Sequence, residues 1–360
     1  MQVEELMELV FNKGGSDLHI SVGLPPIIRV DGKLIRTEYP PLSKEDIQMM
    51  AFSILSNEQR RILEQNWEID CSYGLYGIGR FRVNIYKERS NFAIAMRTIT
   101  SDVPTFDELG LPPIVKETAD KPRGLILVTG PTGSGKSTTL ASMIDHINAS
   151  RAEHILTIED PIEYVHNSKR SIVHQRELGQ DTRSFSNALR SALREDPDII
   201  LVGEMRDLET IALALTAAET GHLVMGTLHT SSASQTIDRI VDVFTAEQQQ
   251  QIRIQLSNSL IAVFSQTLLP KTNPEGKRTG RILAQEIMIV TPAIANMIRE
   301  GKTAQIYSAI QTGGPQQMQT LETALKDLYA RKYISYEDAM AKTSRPDDLK
   351  RLLGSSISQL

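Results

Sequence analysis

The spacing of hydrophobic and polar positions changes along the chain, and it first predicts a small mixed domain. Val3, Leu6, Met7 and Val10 are spaced as on one face of a helix. Residues 79–86 alternate strictly between apolar and polar side chains, which predicts a half-buried strand. Similar patterns predict further strands at 17–21, 26–34, 70–73 and 92–98, with a hairpin turn at 31–32 and a helical stretch over 43–63. We therefore expect an α+β domain over residues 1–99.

The pattern then passes through a linker into a second, larger domain. Residues 100–123 contain four prolines, which interrupt regular structure. From residue 124 onward, short apolar runs alternate with helical patterns, which predicts a parallel-type sheet covered by helices. The strands are expected at 125–129, 155–158, 199–202, 223–228 and 282–290. Residues 270–281 are predicted to form a hairpin or exposed loop. The α/β domain is expected over 124–360, with helices from about 292 and a helix start at Ser335.

Composition narrows the class of protein. Of the 360 residues, 40% are hydrophobic and 23% charged, as in ordinary globular proteins. A net charge of −5 gives no general basic field for nucleic acid, although it does not exclude a local basic pore. Cys71 is the single cysteine, so an internal disulfide is excluded and a reducing cytoplasm fits. No apolar run approaches the roughly 18 residues that suggest a membrane span, so we expect membrane association only through a partner or a surface.

Residues 130–137 read Gly-Pro-Thr-Gly-Ser-Gly-Lys-Ser, between an apolar run and a helical pattern. This is the phosphate-binding loop G-x-x-x-x-G-K-[ST] in the strand–loop–helix setting that its mechanism requires. Its glycines allow positive φ and close approach of the backbone to phosphate. Lys136 is predicted to reach the β- and γ-phosphates of ATP, and the Ser137 hydroxyl to ligate Mg²⁺. The predicted ATP contacts in the loop are Gly130, Pro131, Thr132, Gly133, Ser134, Gly135, Lys136, Ser137 and Thr138.

Two acidic segments could complete such a site. Residues 198–204 form an apolar run that ends in Glu204, one position later than in the commonest Walker B pattern, where Gly203 would be the acid. Residues 155–164 place Glu159, Asp160 and Glu163 just after a predicted strand, at the kind of strand end where ligands bind. Of these, Glu163 is our choice for the residue that polarises water. The alternative for Glu204 is a solvated glutamate after a core strand. The alternative for the other three acids is a charged loop with a helix cap.

Histidines and arginines are further candidates. His222 precedes and His229 follows the predicted strand 223–228. A histidine at a strand end could sense the γ-phosphate through hydrogen bonds, whereas a satisfied interior histidine is the alternative. No third ligand at fitting spacing supports a histidine metal site. An arginine at the γ-phosphate would accelerate phosphoryl transfer, but the sequence does not show which of several arginines has this role. The candidate arginines are Arg80, Arg82, Arg97, Arg194, Arg206 and Arg239.

Taken together, these segments resemble the secretion and pilus motor ATPases. Four family signatures occur in order, at 130–138, 155–164, 198–207 and 217–230, and the resemblance covers nearly the whole chain. The displaced acid at Glu204 is a feature of that family. The resemblance implies a RecA-like P-loop ATPase domain at the C-terminus and a smaller PAS-like domain at the N-terminus. It also implies a hexameric ring that binds ATP between domains and subunits.

The same resemblance assigns roles to individual residues. It implies that Glu163 is the catalytic glutamate and that Glu204 is the Walker B acid and a Mg²⁺ ligand. It implies that His222 and His229 are the catalytic residues of a histidine box. Arg82 and Arg97 match arginines that reach the nucleotide phosphates from the N-terminal domain.

Within the family, the resemblance favours a motor for type IV pilus retraction, in which pilin disassembly drives twitching motility. The chain lacks the four-cysteine motif and the longer N-terminal region of extension and secretion relatives. We thus expect a cytoplasmic homohexamer, peripheral at the inner membrane, that acts on the platform protein of the pilin machinery. The retraction signature Ala-Ile-Arg-Asn-Leu-Ile-Arg-Glu departs here at Ala295 and Met297 within residues 293–300.

Other functions remain open at this point. A non-retracting pilus or secretion ATPase of the same family would share all four signatures. A RecA-like nucleic-acid motor would share the phosphate loop, although the net charge of −5 argues against nucleic acid as a partner. A regulatory nucleotide-binding protein without force output is the third alternative.

Overall fold

The computed structural model describes residues 2–75, 78–273 and 277–357, which form two compact units. The first unit runs to Asp102 and also includes Pro161–Asn167. The second comprises Val103–Asp160 and the described residues from Ser168 onward. None of the helices in the described ranges is long and apolar enough to cross a membrane.

The first unit is an antiparallel sheet with helices. Its strands are β1 Asp17–Ile20, β2 Ile27–Val30, β3 Lys33–Arg36, β4 Glu68–Leu75, β5 Gly79–Glu88 and β6 Asn91–Ile99, in the spatial order β3-β2-β1-β6-β5-β4. Its helices are α1 Val3–Asn12, α2 Lys44–Ser53 and α3 Asn57–Asn66. The alternation predicted for β5 is confirmed, since Phe81, Val83 and Ile85 are fully buried on one face. Leu6 and Met7 of α1 are buried in the same core.

The helical stretch predicted over 43–63 is interrupted. Helix α2 ends at Ser53 and α3 begins at Asn57, with Ser43 and Ser56 as the two N-caps. Each serine hydroxyl accepts a hydrogen bond from the backbone N–H three residues on, and that residue's side chain accepts from the serine N–H. This capping box favours a helix start, so the second serine begins a new helix inside a continuous helical pattern.

The second unit is built on a mixed sheet. The strands are β7 Gly124–Thr129, β8 His154–Glu159, β9 Ile172–Glu177, β10 Ile199–Val202, β11 Leu223–Leu228, β12 Leu260–Thr272 and β13 Arg278–Ile289. Their order is β13-β12-β7-β11-β10-β8-β9, and every pair is parallel except the hairpin β12–β13. All six residues of β7 and of β11 are buried, as expected for central parallel strands covered on both faces.

Helices flank this sheet and form the C-terminal part. They are α4 Phe106–Leu109, α5 Pro113–Ala119, α6 Lys136–Ser150, α7 Phe185–Ala192, α8 Leu208–Glu219, α9 Ala233–Asp242, α10 Ala246–Ser259, α11 Pro292–Arg299, α12 Ile306–Thr312, α13 Leu321–Ala330, α14 Tyr336–Lys342 and α15 Pro346–Ile357. The predicted helix start at Ser335 is confirmed, because its hydroxyl accepts from the Asp338 N–H at 3.0 Å. A separate cluster that includes Leu269, Leu325 and Leu349 joins the last helices to the β12–β13 hairpin.

The five strands predicted in this part of the chain are present, but two others were missed. Strand β9 lies at one edge of the sheet and has only one buried residue, so its pattern is weak. Strand β12 begins at Leu260, directly after α10 ends at Ser259, without a turn residue between them. The hairpin expected within 270–281 is confirmed by the pairing of β12 with β13, although residues 274–276 lie outside the described residues.

Candidate functional site

The loop 130–137 has the backbone conformation that its glycines predict. Gly130, Gly133 and Gly135 have φ values of 139°, 77° and 88°, which side chains with a Cβ rarely adopt. At Gly130, a Cβ would lie 2.2 Å from the carbonyl oxygen of Gln266, so only glycine fits. Helix α6 begins at Lys136, directly after the loop. The backbone N–H groups of the loop and the helix N-terminus therefore form a site for an anion.

Two side chains in the loop indicate what this anion site takes. The Lys136 ammonium is buried and donates to the carbonyl oxygens of Gly130 at 2.9 Å and Pro131 at 3.2 Å. The Ser134 hydroxyl is also buried, and it has no hydrogen-bond partner among the described residues. A buried hydroxyl without a partner costs free energy that a phosphate oxygen would recover. The loop therefore fits the phosphates of a nucleotide.

Gln266 on β12 supports the loop from behind, and sequence reasoning missed it. Its side-chain amide donates to the Ser134 carbonyl oxygen at 3.1 Å. Its side-chain oxygen accepts from the Thr139 hydroxyl at 3.2 Å and from the Gln285 amide at 3.1 Å. A glutamine inside an apolar run was the available signal, but β12 itself was not predicted. Gln266 fixes the loop to the neighbouring strand.

The displaced acid Glu204 has a steric explanation. Gly203 follows β10, and a Cβ there would lie 3.0 Å from the Ile158 carbonyl oxygen and 3.2 Å from the Glu159 Cα. Its N–H also donates to that Ile158 carbonyl at 2.7 Å. Because β8 approaches so closely, a carboxylate at position 203 would have to push the backbone apart. The next residue, Glu204, therefore provides the acid.

Glu204 and His229 meet at the carboxyl edge of the sheet. The His229 Nε2 lies 2.9 Å from a Glu204 carboxylate oxygen, and the Arg206 guanidinium donates to that same oxygen. These residues line a cavity of about 520 Å³ together with Thr230 and Arg239. Since β7, β11 and β10 are adjacent parallel strands, the phosphate loop, His229 and Glu204 all follow the ends of neighbouring strands. The structure thus brings three of the predicted segments to one edge.

In the structure of the single chain, His222 does not lie at this edge of the sheet. His222 precedes β11, whose six residues carry the chain about 20 Å to His229. The His222 ring contacts the Ala217 carbonyl at 2.9 Å and the Thr220 hydroxyl at 3.3 Å, both around the end of α8. The assignment of His222 as a catalytic residue remains a prediction.

Glu163 and Glu159 lie in different units. Strand β8 extends to Glu159, whose carboxylate accepts from the Thr157 hydroxyl at 2.6 Å and the Gln175 amide at 3.0 Å. Glu163 is exposed within Pro161–Asn167, which belongs to the first unit. That segment is fixed there by the Val165 N–H, which donates to the Thr100 carbonyl at 3.0 Å. The Glu159 carboxylate therefore forms hydrogen bonds within the sheet, whereas the Glu163 side chain is exposed.

Arg82 and Arg97 are direct cross-strand neighbours on β5 and β6, and both are exposed. Like charges placed opposite each other in a sheet are destabilising, unless an anion compensates them. Arg97 has one such partner, since its Nε donates to Asp17 at 2.9 Å. Burial raises the pKa of the Asp17 carboxyl, but hydrogen bonds from Ser16 and Arg97 outweigh this and lower the pKa overall.

Comparison with known proteins decides the family. The model of the type II/IV secretion system protein family matches residues 3–339. The chain belongs to this family. It is 56% identical over 97% of its length to the whole of a type IV pilus retraction ATPase, PilT, of Pseudomonas aeruginosa. It is 52% identical to a twitching motility protein of Neisseria gonorrhoeae, over 90% of this chain and 86% of that protein.

Solved structures agree with this membership. A crystal structure of the pilus retraction motor PilT with bound ADP matches with a TM-score of 0.88 and 50% identity, over 98% of this chain and 99% of that one. The resemblance recognised in the sequence and the predicted P-loop ATPase fold of this secretion family are thereby confirmed. The prediction of an ATP-hydrolysing enzyme is confirmed as well.

The oxygen donors at the sheet edge also suit the predicted Mg²⁺. Ser137 offers a hydroxyl in the first turn of α6, and Glu204 offers a carboxylate at the end of β10. Magnesium prefers such oxygen ligands together with phosphate oxygens and water. Arg206 and His229 both contact one carboxylate oxygen of Glu204, so these two side chains fix the position of the acid.

A buried glutamate anchors the segment that follows His229. Glu286 on β13 is 5% exposed, and its carboxylate accepts from the Ala233 N–H at 2.7 Å, at the start of α9. Burial raises the pKa of Glu286 to about 7, while the Ala233 N–H lowers it, the carboxylate of Glu322 raises it and Arg345 lowers it. The loop that carries His229 is thus joined to the far edge of the sheet.

Glu286→Gln is expected to remove a pH dependence of stability. A carboxyl whose pKa is raised by folding from 4.5 to about 7 stabilises the fold fully below pH 4.5, and this stabilisation is lost as the pH rises through 7. The loss is at most about 3 kcal/mol. Glutamine still accepts from Ala233 but carries no charge. The wild type should therefore lose more thermal stability than the variant between pH 5.5 and pH 8.

The matched control is Glu64→Gln, at an exposed position of α3. It should retain the wild-type difference between the two pH values in the same melting measurement. If Glu286→Gln and the wild type show equal differences, then Glu286 does not titrate as its burial implies.

Proposed function

We propose that this chain forms a homohexameric motor that couples ATP hydrolysis to the retraction of type IV pili. The observation that carries the proposal is the phosphate loop 130–137 at the same sheet edge as Glu204 and His229, in a chain that matches the pilus retraction ATPase PilT over 97% of its length. Retraction would disassemble the pilus into pilin and drive twitching motility. A non-retracting pilus or secretion ATPase of the same family is the second candidate, favoured by the departures at Ala295 and Met297.

Each part of the site has a role in this proposal. The loop N–H groups and Lys136 hold the phosphates of ATP, and Ser137 and Glu204 ligate Mg²⁺. When bound, Mg²⁺ supplies neutralising charge to the phosphate oxygens. Glu163 polarises the attacking water. Support for these roles comes from the unpartnered Ser134 hydroxyl and from the two side chains that hold Glu204.

The remaining predicted residues act on the same nucleotide in this proposal. His229, which contacts Glu204, would report the presence of the γ-phosphate to the acid. His222 is kept as a predicted catalytic residue, although its ring contacts the end of α8 and not Glu204. Arg82 and Arg97 would contact the phosphates, and their placement directly opposite each other supports this, because two neighbouring guanidinium groups suit an anion.

We further propose where the ring works. It would act in the cytoplasm, peripherally at the inner membrane, on the platform protein of the pilin machinery. A net charge of −5 supports a protein partner and no nucleic acid.

The proposal is tested in cells whose own retraction ATPase has been replaced by this chain. Labelled pili should shorten, and twitching zones should form, because the chain would supply the missing motor. The matched control is the same replacement with Lys136→Ala, which should leave pili extended.

A second pair of strains, one with this chain and one with its Ala295→Arg variant, tests the departure at position 295 in α11. The helix is intact from Pro292 to Arg299, with Ile294 and Ile298 buried, so Ala295 changes a surface charge and leaves the fold alone. If the unmodified chain retracts pili as well as Ala295→Arg does, then the loss of the charge is tolerated. If neither form shortens pili while both hydrolyse ATP, then the chain is a non-retracting motor of the family.

A further inference from the structure

A row of charged side chains crosses the antiparallel sheet of the first unit. The strand pairing places Asp17 of β1 between Arg29 of β2 and Arg97 of β6. Arg82 of β5 is the cross-strand partner of Arg97 on its other side. Side chains at directly paired positions lie close enough to interact. One carboxylate and three guanidinium groups therefore occupy neighbouring positions across four strands.

The carboxylate of this row is buried and both of its oxygens have partners. Asp17 is only 6% exposed. Its Oδ1 accepts a hydrogen bond from the Arg97 Nε at 2.9 Å. Its Oδ2 accepts from the Ser16 hydroxyl at 2.7 Å and lies 3.4 Å from the Arg29 Nε. A buried carboxylate is costly unless it is paired and hydrogen-bonded, and these contacts meet that need. Asp17 is thus a fixed anion within the row.

The two arginines beside Asp17 differ in what their outer nitrogens contact. The Arg29 Nη1 donates to the Gly32 carbonyl at 2.9 Å, in the turn between β2 and β3. Arg97 contacts Asp17 through Nε, and 74% of its side chain is exposed. Among the residues that the structure describes, Asp17 is the only ion-pair or hydrogen-bond partner of the Arg97 side chain. The two terminal nitrogens of Arg97 can therefore donate to an anion outside the sheet.

The charges of the row suit an anion beside Arg97. Arg29 offsets the charge of Asp17, so the exposed guanidinium groups of Arg97 and Arg82 keep their positive charge. Like charges placed directly opposite each other in a sheet repel. A phosphate would remove this repulsion, and its bidentate contact with an arginine depends on how the plane of the guanidinium is oriented.

We propose that Asp17 is a positioning residue that orients Arg97 for the phosphates of ATP. The inference rests on the proposed function, in which Arg82 and Arg97 contact those phosphates. By accepting from Nε, the carboxylate holds the guanidinium plane and leaves both terminal nitrogens for the phosphate oxygens. An exposed arginine otherwise samples many rotamers, and ordering such a side chain on binding costs free energy. Asp17 provides this order in advance.

The test measures steady-state ATP hydrolysis by the full-length chain with single and double substitutions. Asp17→Ala removes the acceptor for Nε and should lower kcat/KM for ATP by about tenfold, as expected when an arginine must be ordered during binding. Asp17→Asn retains an oxygen acceptor of the same size, so it should recover part of this loss. Arg97→Ala should lower kcat/KM at least as much as Asp17→Ala.

A double-mutant cycle separates orientation of Arg97 from support of the fold. Without Arg97 there is no guanidinium to orient, so adding Asp17→Ala to Arg97→Ala should change kcat/KM by less than about twofold. A merely structural role would lower kcat/KM by the same factor in both backgrounds. If Asp17→Ala does not fold, the same cycle is run with Asp17→Asn, whose expected loss of about threefold should also vanish in the Arg97→Ala background.

Asp70→Ala is the matched control. Asp70 lies on β4 of the same sheet, outside the row, and its carboxylate accepts from the amide of its cross-strand partner Asn84 at 3.3 Å. Loss of this exposed contact should leave kcat/KM for ATP at the wild-type value.

Two results would overturn the inference alone. One is wild-type kcat/KM in Asp17→Ala when Arg97→Ala is impaired. The other is an equal loss from Asp17→Ala with and without Arg97, which would make the carboxylate a support of the fold. Failure of the proposed role of Arg97 looks different, because Arg97→Ala itself would then keep wild-type kcat/KM, and the inference would fail with it.

Discussion

Lys136→Ala is expected to weaken nucleotide binding strongly. The ammonium is buried and already donates to two carbonyl oxygens inside the loop, so it is positioned before any phosphate arrives. Hydrogen bonds to charged groups contribute about 1.5–3 kcal/mol each, so losing this cation should weaken ATP binding by at least about tenfold, and more if several phosphate oxygens are involved. Equilibrium binding of a fluorescent ATP analogue measures the loss.

The control for this experiment is Lys169→Ala. Lys169 forms an ion pair with Asp145 at 2.7 Å on the surface of the same unit, and such exposed pairs contribute little. It should bind ATP like the wild type. Thermal unfolding without nucleotide should be nearly unchanged in Lys169→Ala. Wild-type affinity in Lys136→Ala would place the phosphates elsewhere.

The phosphate loop was predictable because its information is local. Glycines at positions that need positive φ, an apolar run before them and a helical pattern after them all lie within one short segment. The alternation in β5 and the hairpin turn at Asp31-Gly32 were predictable for the same reason. In each case, neighbouring residues determine the structure with little help from distant ones.

The supporting network of the site could not be predicted, because it depends on sheet order. Gln266 contacts the loop only because β12 pairs with β7, which lies over 130 residues earlier in the chain. Gly203 excludes a side chain only because β8 lies beside β10. The anchor from Glu286 to Ala233 likewise joins two elements that are distant in sequence. The periodicity of apolar residues predicts which face of a strand is buried, but it does not predict which strands lie beside it in the sheet.

Glu163→Gln is expected to bind ATP and hardly hydrolyse it. Glutamine keeps the shape of the side chain but accepts no proton, and a positioned general base contributes about 10²–10⁴ in rate. Glu163 is exposed and its segment is held by backbone bonds near Thr100, so the substitution should not disturb folding. We expect kcat to fall by about 100-fold or more, with ATP affinity within about twofold of the wild type.

Glu159→Gln is the control that separates the two neighbouring acids. Thr157 and Gln175 both donate to the same carboxylate oxygen of Glu159, and the side-chain oxygen of a glutamine can accept both hydrogen bonds. This variant should therefore keep most of its stability and most of its turnover. If Glu163→Gln turns over as fast as the wild type, then the base lies elsewhere. Glu204 would be the next candidate, since it already contacts His229 at the edge where the phosphate loop ends.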